Sequence, residues 1–250
     1  MTRTVLLALI LSITVCSAQN SKDQKKSLGA IPAKQVHEMH TLDSVPAYWY
    51  WMQARSDDNI TLKYEKGSAH VRHAGSGSAW FFRNVPADAS ADWDATVRVK
   101  TTKAVGQAGP GILIRSQSTQ FMFIVSPLNQ SFWAGHLDNA ASQWKTYVND
   151  RGNFQAYVKS EHVKPLGELN VLKVQKHGDD VDFSVNGVIV KTFSIANVMV
   201  AAASSLDGMG FTMSQQVEAE VLDVEMNYKT RSIAYDPTAF VGATKTYATE

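Results

Sequence analysis

The chain has 250 residues, 44% of them hydrophobic and 19% charged, with a formal net charge of +1. That is globular composition, and a nearly neutral chain has no electrostatic reason to seek nucleic acid or an anionic membrane surface. One cysteine, Cys16, excludes a disulfide framework, so the fold must be held by its core.

At the N-terminus Arg3 precedes an apolar run from Val5 to Val15, and small residues follow at Cys16 and Ala18. This is the pattern of a secretory signal peptide over residues 1–18, cut after Ala18. The run is shorter than the ~20 apolar residues a spanning helix needs, so no transmembrane span is expected in the mature protein. A start-anchored helix is the plainer alternative. A lipoprotein modified at Cys16 is disfavoured because Val15 is a poor residue before a lipidated cysteine. Cleavage removes Cys16 and Arg3, and 24 basic residues less one leaves 23 against 23 acidic. The expected location is extracellular or periplasmic.

Residues 19–42 are polar and basic and read as a linker or loosely docked arm. From 43 to 228 short β-type runs alternate with Gly, Asp, Asn or Pro at spacings of roughly 8–12 residues, the signature of an all-antiparallel sandwich. The stretch from Asn170 to Phe193, "NVLKVQKHGDDVDFSVNGVIVKTF", reads as a three-strand meander. Its Asn186-Gly187 pair suits a two-residue type I′ turn, whose two central positions both need positive φ. "ANVMVAAASSL" from Ala196 reads equally as a short helix or as a buried strand or loop. Residues 229–250 read as a C-terminal extension.

Three runs carry a family resemblance: Gly111 to Arg115 (glycine, apolar strand, arginine), Asn170 to Val174 with Val185-Asn186-Gly187, and Leu222 to Met226. They resemble concanavalin-A-like jelly rolls, nearest the laminin-G-like and 3-keto-disaccharide-hydrolase-type domains of secreted proteins. The resemblance spans about Trp49 to Tyr228. It implies an all-β, two-sheet antiparallel jelly-roll sandwich whose concave sheet offers a groove that many relatives use for glycans.

The candidate chemistry is sparse. Glucanases of this fold carry Glu-x-Asp-x-Glu on one strand, so that alternate carboxylates share a face. Here "VLDVE" puts Asp223 and Glu225 in the second and third places, but Val221 replaces the nucleophile, and strict alternation sends Glu220 to the opposite face. "HEMH" (His37 and His40) falls in the polar arm with the wrong spacing for a zinc protease. His70 and His73 lie three apart on a strand and face opposite sides. No cofactor is expected; the loop Asp57–Asn59 has the hard oxygens for a structural calcium ion, but a solvated turn is its plainer and preferred reading.

Aromatic residues carry the binding expectation, because sugar C–H faces stack on Trp and Tyr. The candidates are Arg115, Trp133, His136, Trp144 and Tyr147, with core packing as the competing reading of each aromatic. Arg115 shares a strand face with Leu113 and so points toward the groove. The functional expectation is a secreted module that binds a carbohydrate or cell-surface ligand without catalysis. A sugar-acting hydrolase and a structural or adhesion protein are the alternatives.

Overall fold

The computed structural model describes residues 32–44, 46, 48–53, 59–116, 119–138, 143–146, 157–194 and 205–232. The signal peptide, Cys16, Asp57, Asp58, Tyr147 and the alanine-rich stretch up to Ser204 lie outside them. All the regular elements described are strands. In chain order they begin with β1 (Gln35–Thr41), β2 (Trp49–Gln53), β3 (Ile60–Glu65) and β4 (Ser68–His73). The middle of the chain gives β5 (Ala79–Asp88), β6 (Trp93–Ala104), β7 (Pro110–Ser116), β8 (Thr119–Ser126), β9 (Ser131–Asp138) and β10 (Gln143–Thr146). The last six are β11 (Val158–Lys159), β12 (Leu169–His177), β13 (Asp180–Val185), β14 (Val188–Ser194), β15 (Ser205–Met213) and β16 (Val217–Lys229).

They form two eight-stranded antiparallel sheets. The first runs β14-β13-β12-β6-β16-β4-β3, and the second β10-β9-β8-β7-β15-β5-β2. In each, one strand serves two partners along a single edge. The long β16 lies along β6 on one side; its other side pairs with β4 at Val217–Val221 and with β1 at Asp223–Lys229. Likewise β9 carries both β10 and β11 beside it.

The period-2 pattern of the first sheet places Val97, Val99, Leu172, Val174, Phe183, Val221 and Val224 in the core, all fully buried. Opposite them stand Phe81, Ile112, Ile114, Phe121, Phe123, Met209 and Phe211 of the second sheet. Phe81 and Phe211 stack at 4.6 Å, and Phe183 meets Phe121 at 5.2 Å and Phe123 at 5.3 Å.

The compact unit runs from Lys34 to Arg231, which corrects the polar-arm expectation for its last residues. Gln35–Thr41 is a strand because β16 has an open edge beyond β4 and because Glu38 finds three donors. Its carboxylate accepts from the Tyr228 hydroxyl at 3.0 Å and pairs with Arg83 at 3.1 Å and His40 at 3.1 Å. Arg83 sits on β5, so this cluster ties the two sheets together. Burial and the Glu38 charge hold the Tyr228 hydroxyl above its ordinary pKa. The chain also continues past Tyr228, with Thr230 bridging Ala87 and Arg231 donating to the Pro86 carbonyl.

The turn expected at Asn186-Gly187 is present, with φ of 53° and 84°. Asn186 does more than bend the chain. Its Oδ1 accepts from the Val171 amide at 2.9 Å, and its Nδ2 donates to the His162 carbonyl at 2.7 Å and to Asn170 Oδ1 at 3.0 Å. Asn170, 1% exposed, in turn holds both backbone groups of Lys164. The Asn and Val-Asn-Gly signatures are thus one hydrogen-bonded corner. Asn186→Ala should cost about 2–3 kcal/mol, from an unfavourable positive φ and orphaned buried partners. Asn186→Gly, which keeps the φ, should recover part of that loss. Denaturant midpoints of the two variants against the parent check both statements.

Candidate functional site

Sheets with one solvated face alternate cleanly; β5, β7 and β8 do not. Trp80 to Phe82, Gly111 to Ile114 and Phe121 to Val125 are buried without interruption, the pattern of strands covered on both faces. One face meets the sandwich core. The other, the outer face of the second sheet, carries its own apolar layer of Trp80, Phe82, Leu113, Met122, Ile124 and Trp133, against which Tyr50 and Tyr157 pack. Burial pushes the Tyr157 hydroxyl pKa up.

The ladder registers arrange this face in three rows across the strands. The first is Trp80, Thr212, Gly111, Ile124, Trp133; the second is Phe82, Gly210, Leu113, Met122, Gly135. Glycines 111, 210 and 135 leave a floor without side chains, and the large residues lie across it. The Trp80 indole crosses β15 and β7 to donate to the Met122 sulfur at 3.3 Å. Tyr50 stacks on Phe82 at 5.9 Å.

The third row is polar: Asn84, Gly208, Arg115, Gln120, Leu137. The Arg115 guanidinium lies 4.2 Å over the Phe82 ring, a cation–π contact. Burial pulls its pKa down, opposed by the charge of Asp207. Arg115 Nε and Gln120 Oε1 are buried, and neither has a hydrogen-bond partner among the described residues. A donor and an acceptor in adjacent register, beside two rows that are apolar or glycine except for Thr212, are what a hydroxyl-bearing ligand would complete.

The residues expected from sequence divide as follows. Arg115 points to this face with Leu113, as alternation requires. Trp133 is on the same face but 2% exposed, and four residues along β9 from Leu137, about 13 Å from the Arg115 row. His136 projects from the opposite face of β9, in register with Phe121 and Lys145, so it does not join Arg115. Trp144 is in register with Leu137, at the end of the Arg115 row; its side chain, like all of Tyr147, lies outside the description. Trp80, Phe82, Gln120 and Asp207 were not among the expected residues. The signal for Trp80 and Phe82 is the uninterrupted apolar run "AWFF", which with "GILI" and "FMFIV" reads as strands buried on both faces, whereas Gln120 and Asp207 have no such local signal.

The carboxylates of β16 need one correction. A bulge between Val221 and Asp223 shifts the alternation, so Glu220 shares the outer face of the first sheet with Asp223 and Glu225 rather than opposing them. All three are engaged by cations. Arg98 donates to Asp223 at 2.7 Å and lies 3.5 Å from Glu225, and Lys100 lies 3.6 Å from Glu220. The Asp223 hydrogen bond raises the Arg98 pKa. Val221, where a nucleophile would be needed, is fully buried. Among the described residues no cluster of three or more His, Cys, Asp or Glu could hold a metal ion, and no helix is long and apolar enough to cross a membrane.

No family model and no curated protein matches the sequence. Solved structures do. SCLam, a non-specific endo-beta-1,3(4)-glucanase from family GH16, superposes with a TM-score of 0.52 at 12% identity over 81% of this chain and 94% of its own. A structure described with endo-acting O-glycanases of the human gut microbiota gives 0.52 at 13% identity, covering 80% and 99%. The CBM2 module of the evolved Dit of Lactobacillus casei BL23 phage J-1 gives 0.51 at 11% identity, covering 81% and 100%. Two antiparallel sheets in this arrangement make the chain an all-β, concanavalin-A-like jelly-roll sandwich.

Proposed function

We propose that this chain is an exported module that binds a glycan, without catalysis, along the Arg115 row of the second sheet. The observation that carries this reading is the half-buried guanidinium of Arg115, with its Nε lacking a hydrogen-bond partner among the described residues. Polar groups buried in an apolar layer are costly unless paired, and sugar hydroxyls pair with both a guanidinium and an amide oxygen. Fold likeness to a glucanase and a CBM2 module supports this only by analogy. The hydrolase reading needs two carboxylates flanking the scissile bond. Among the described residues, the carboxylate whose charge acts on Arg115 is that of Asp207. Export after Ala18 belongs to the same proposal, as does a calcium ion at the Asp57–Asn59 loop should the mature protein prove to need one.

The test is a glycan array on the mature protein from Gln19, with hydrolysis assays on every sugar retained. Arg115→Ala should weaken binding ten- to a hundred-fold, the worth of about 1.5–3 kcal/mol for hydrogen bonds to a charged group, while leaving the thermal midpoint within a few degrees. Turnover abolished by replacing one Asp or Glu would establish the hydrolase instead. No binding to any sugar would favour a structural or adhesion role.

A further inference from the structure

One buried ring on the outer face of the second sheet has two stacking partners. The Arg115 guanidinium lies 4.2 Å over the Phe82 ring, and Tyr50 stacks on the same ring with centroids 5.9 Å apart and planes 28° from parallel. The three residues come from three strands: Tyr50 from β2, Phe82 from β5 and Arg115 from β7, with β15 lying between the last two. Neighbouring strands are about 4.8 Å apart, so the Arg115 side chain starts two strands from Phe82 and passes over β15 to reach it. Gly208 is its ladder partner on β15. A Cβ on Gly208 would stand 3.1 Å from Phe82 Cδ2 and 3.6 Å from Arg115 Cβ, against both members of the pair. Glycine leaves that crossing open.

We propose that Phe82 is the positioning residue of this site: its ring, braced by Tyr50, fixes the Arg115 guanidinium before any ligand arrives, and Gly208 is the opening across which the two meet. The inference rests on the glycan reading above and says what makes Arg115 competent to bind. Phe82 is itself buried, so it acts through Arg115 and not by touching a sugar. An arginine side chain loses much rotamer freedom when a ligand immobilises it. One already seated on a ring has lost that freedom during folding, so binding no longer bears the cost. The kind of partner matters as well. A carboxylate would hold the cation but occupy its N–H groups, whereas a ring attracts the charge and leaves the donors unused. Arg115 Nε accordingly has no hydrogen-bond partner among the described residues.

The experiment is a double-mutant cycle on the mature full chain. The parent, Phe82→Leu, Arg115→Ala and the double variant are titrated with gluco-, galacto- and manno-oligosaccharides, and thermal midpoints establish that each is folded. Phe82→Leu should weaken binding of the best-bound member about three- to thirty-fold, the range of a cation–π contact. Once Arg115 is alanine, the same change should alter affinity by less than about two-fold, because the two residues act as one unit. A second readout needs no ligand. The Phe82 ring current should move the Arg115 guanidinium proton signals upfield in the parent, with Arg115→Ala identifying them, and Phe82→Leu should abolish the displacement. If Phe82→Leu does not fold, Gly208→Val, which fills the crossing and keeps both partners, replaces it with the same expectations. No loss in the single variant, an equal loss in both backgrounds, or undisplaced signals in the parent overturns this inference and leaves the glycan reading standing. Failure of the parent to bind any member overturns both.

Discussion

Phe183→Ala should lower the thermal midpoint by roughly 6–20 °C, the consequence of losing about 3–5 kcal/mol from a large-to-small core change at about 2–4 °C per kcal/mol for a unit of this size. The expectation follows from where the ring sits. Phe183 projects inward from β13 of the first sheet and is fully buried. It meets Phe121 and Phe123 of the second sheet at 5.2 and 5.3 Å and Phe193 of β14 at 5.4 Å. One ring therefore joins both layers and anchors an edge strand. Removing it leaves a cavity between sheets whose ladders hold them in place, so collapse to fill the void is limited. Phe183→Leu retains most of the volume and should cost under about 1.5 kcal/mol. Calorimetry on the three proteins decides the matter. A Phe183→Ala midpoint no lower than that of Phe183→Leu would show that this ring does not join the layers.

The meander containing Phe183 was the most legible part of the chain. In β12 and β13 one face is core and the other solvated, so hydrophobic and polar residues alternate and the register can be read directly. Asn186 and Gly187 then fix the hairpin because few other pairs tolerate positive φ twice. The Arg115 site was half legible. Alternation sends Arg115 to the same side as Leu113, but it cannot say which residues of other strands lie beside it. Gln120, Asp207 and Phe82 come from β8, β15 and β5, and long-range register has no local signature. Bulges add a second obstacle. Strict alternation put Glu220 opposite Asp223, and one extra residue in β16 reverses that; another, in β5 between Asn84 and Ala87, shifts the β15 register at Asp207. β1 was missed for a different reason. Its sequence is polar because Glu38 and His37 are satisfied by partners on β16 and β5, and His40 by Glu38 itself, not by burial of apolar area.

Gly210→Ala should destabilise the protein by about 3 kcal/mol or more, beyond the usual range for a surface strand and near the upper range for overpacking. Gly210 lies in β15 between β5 and β7, at the centre of the second sheet. A Cβ added there would stand 2.0 Å from the Phe81 carbonyl oxygen and 2.6 Å from Phe82 Cα. Both are backbone atoms of a paired strand, so no side-chain rotation relieves the clash; β5 and β15 must part. Gly111 is in the same position against β8, with 2.2 Å to the Phe123 carbonyl oxygen. Gly208 is the control. Its nearest neighbour would be a ring carbon of Phe82 at 3.1 Å, the movable end of a side chain, so Gly208→Ala should cost about 1 kcal/mol at the lower end of the same scale. The two substitutions are chemically identical and two residues apart on one strand. Their difference in denaturant midpoint isolates close backbone approach from any general effect of replacing glycine. Gly210→Ala should also disturb the layer above it, since Phe82 supports Arg115 and Trp80 spans the same floor; near-UV circular dichroism should record the change in the tryptophan environment. Equal midpoints for the two variants would mean that the glycine floor is not what lets these rings lie flat.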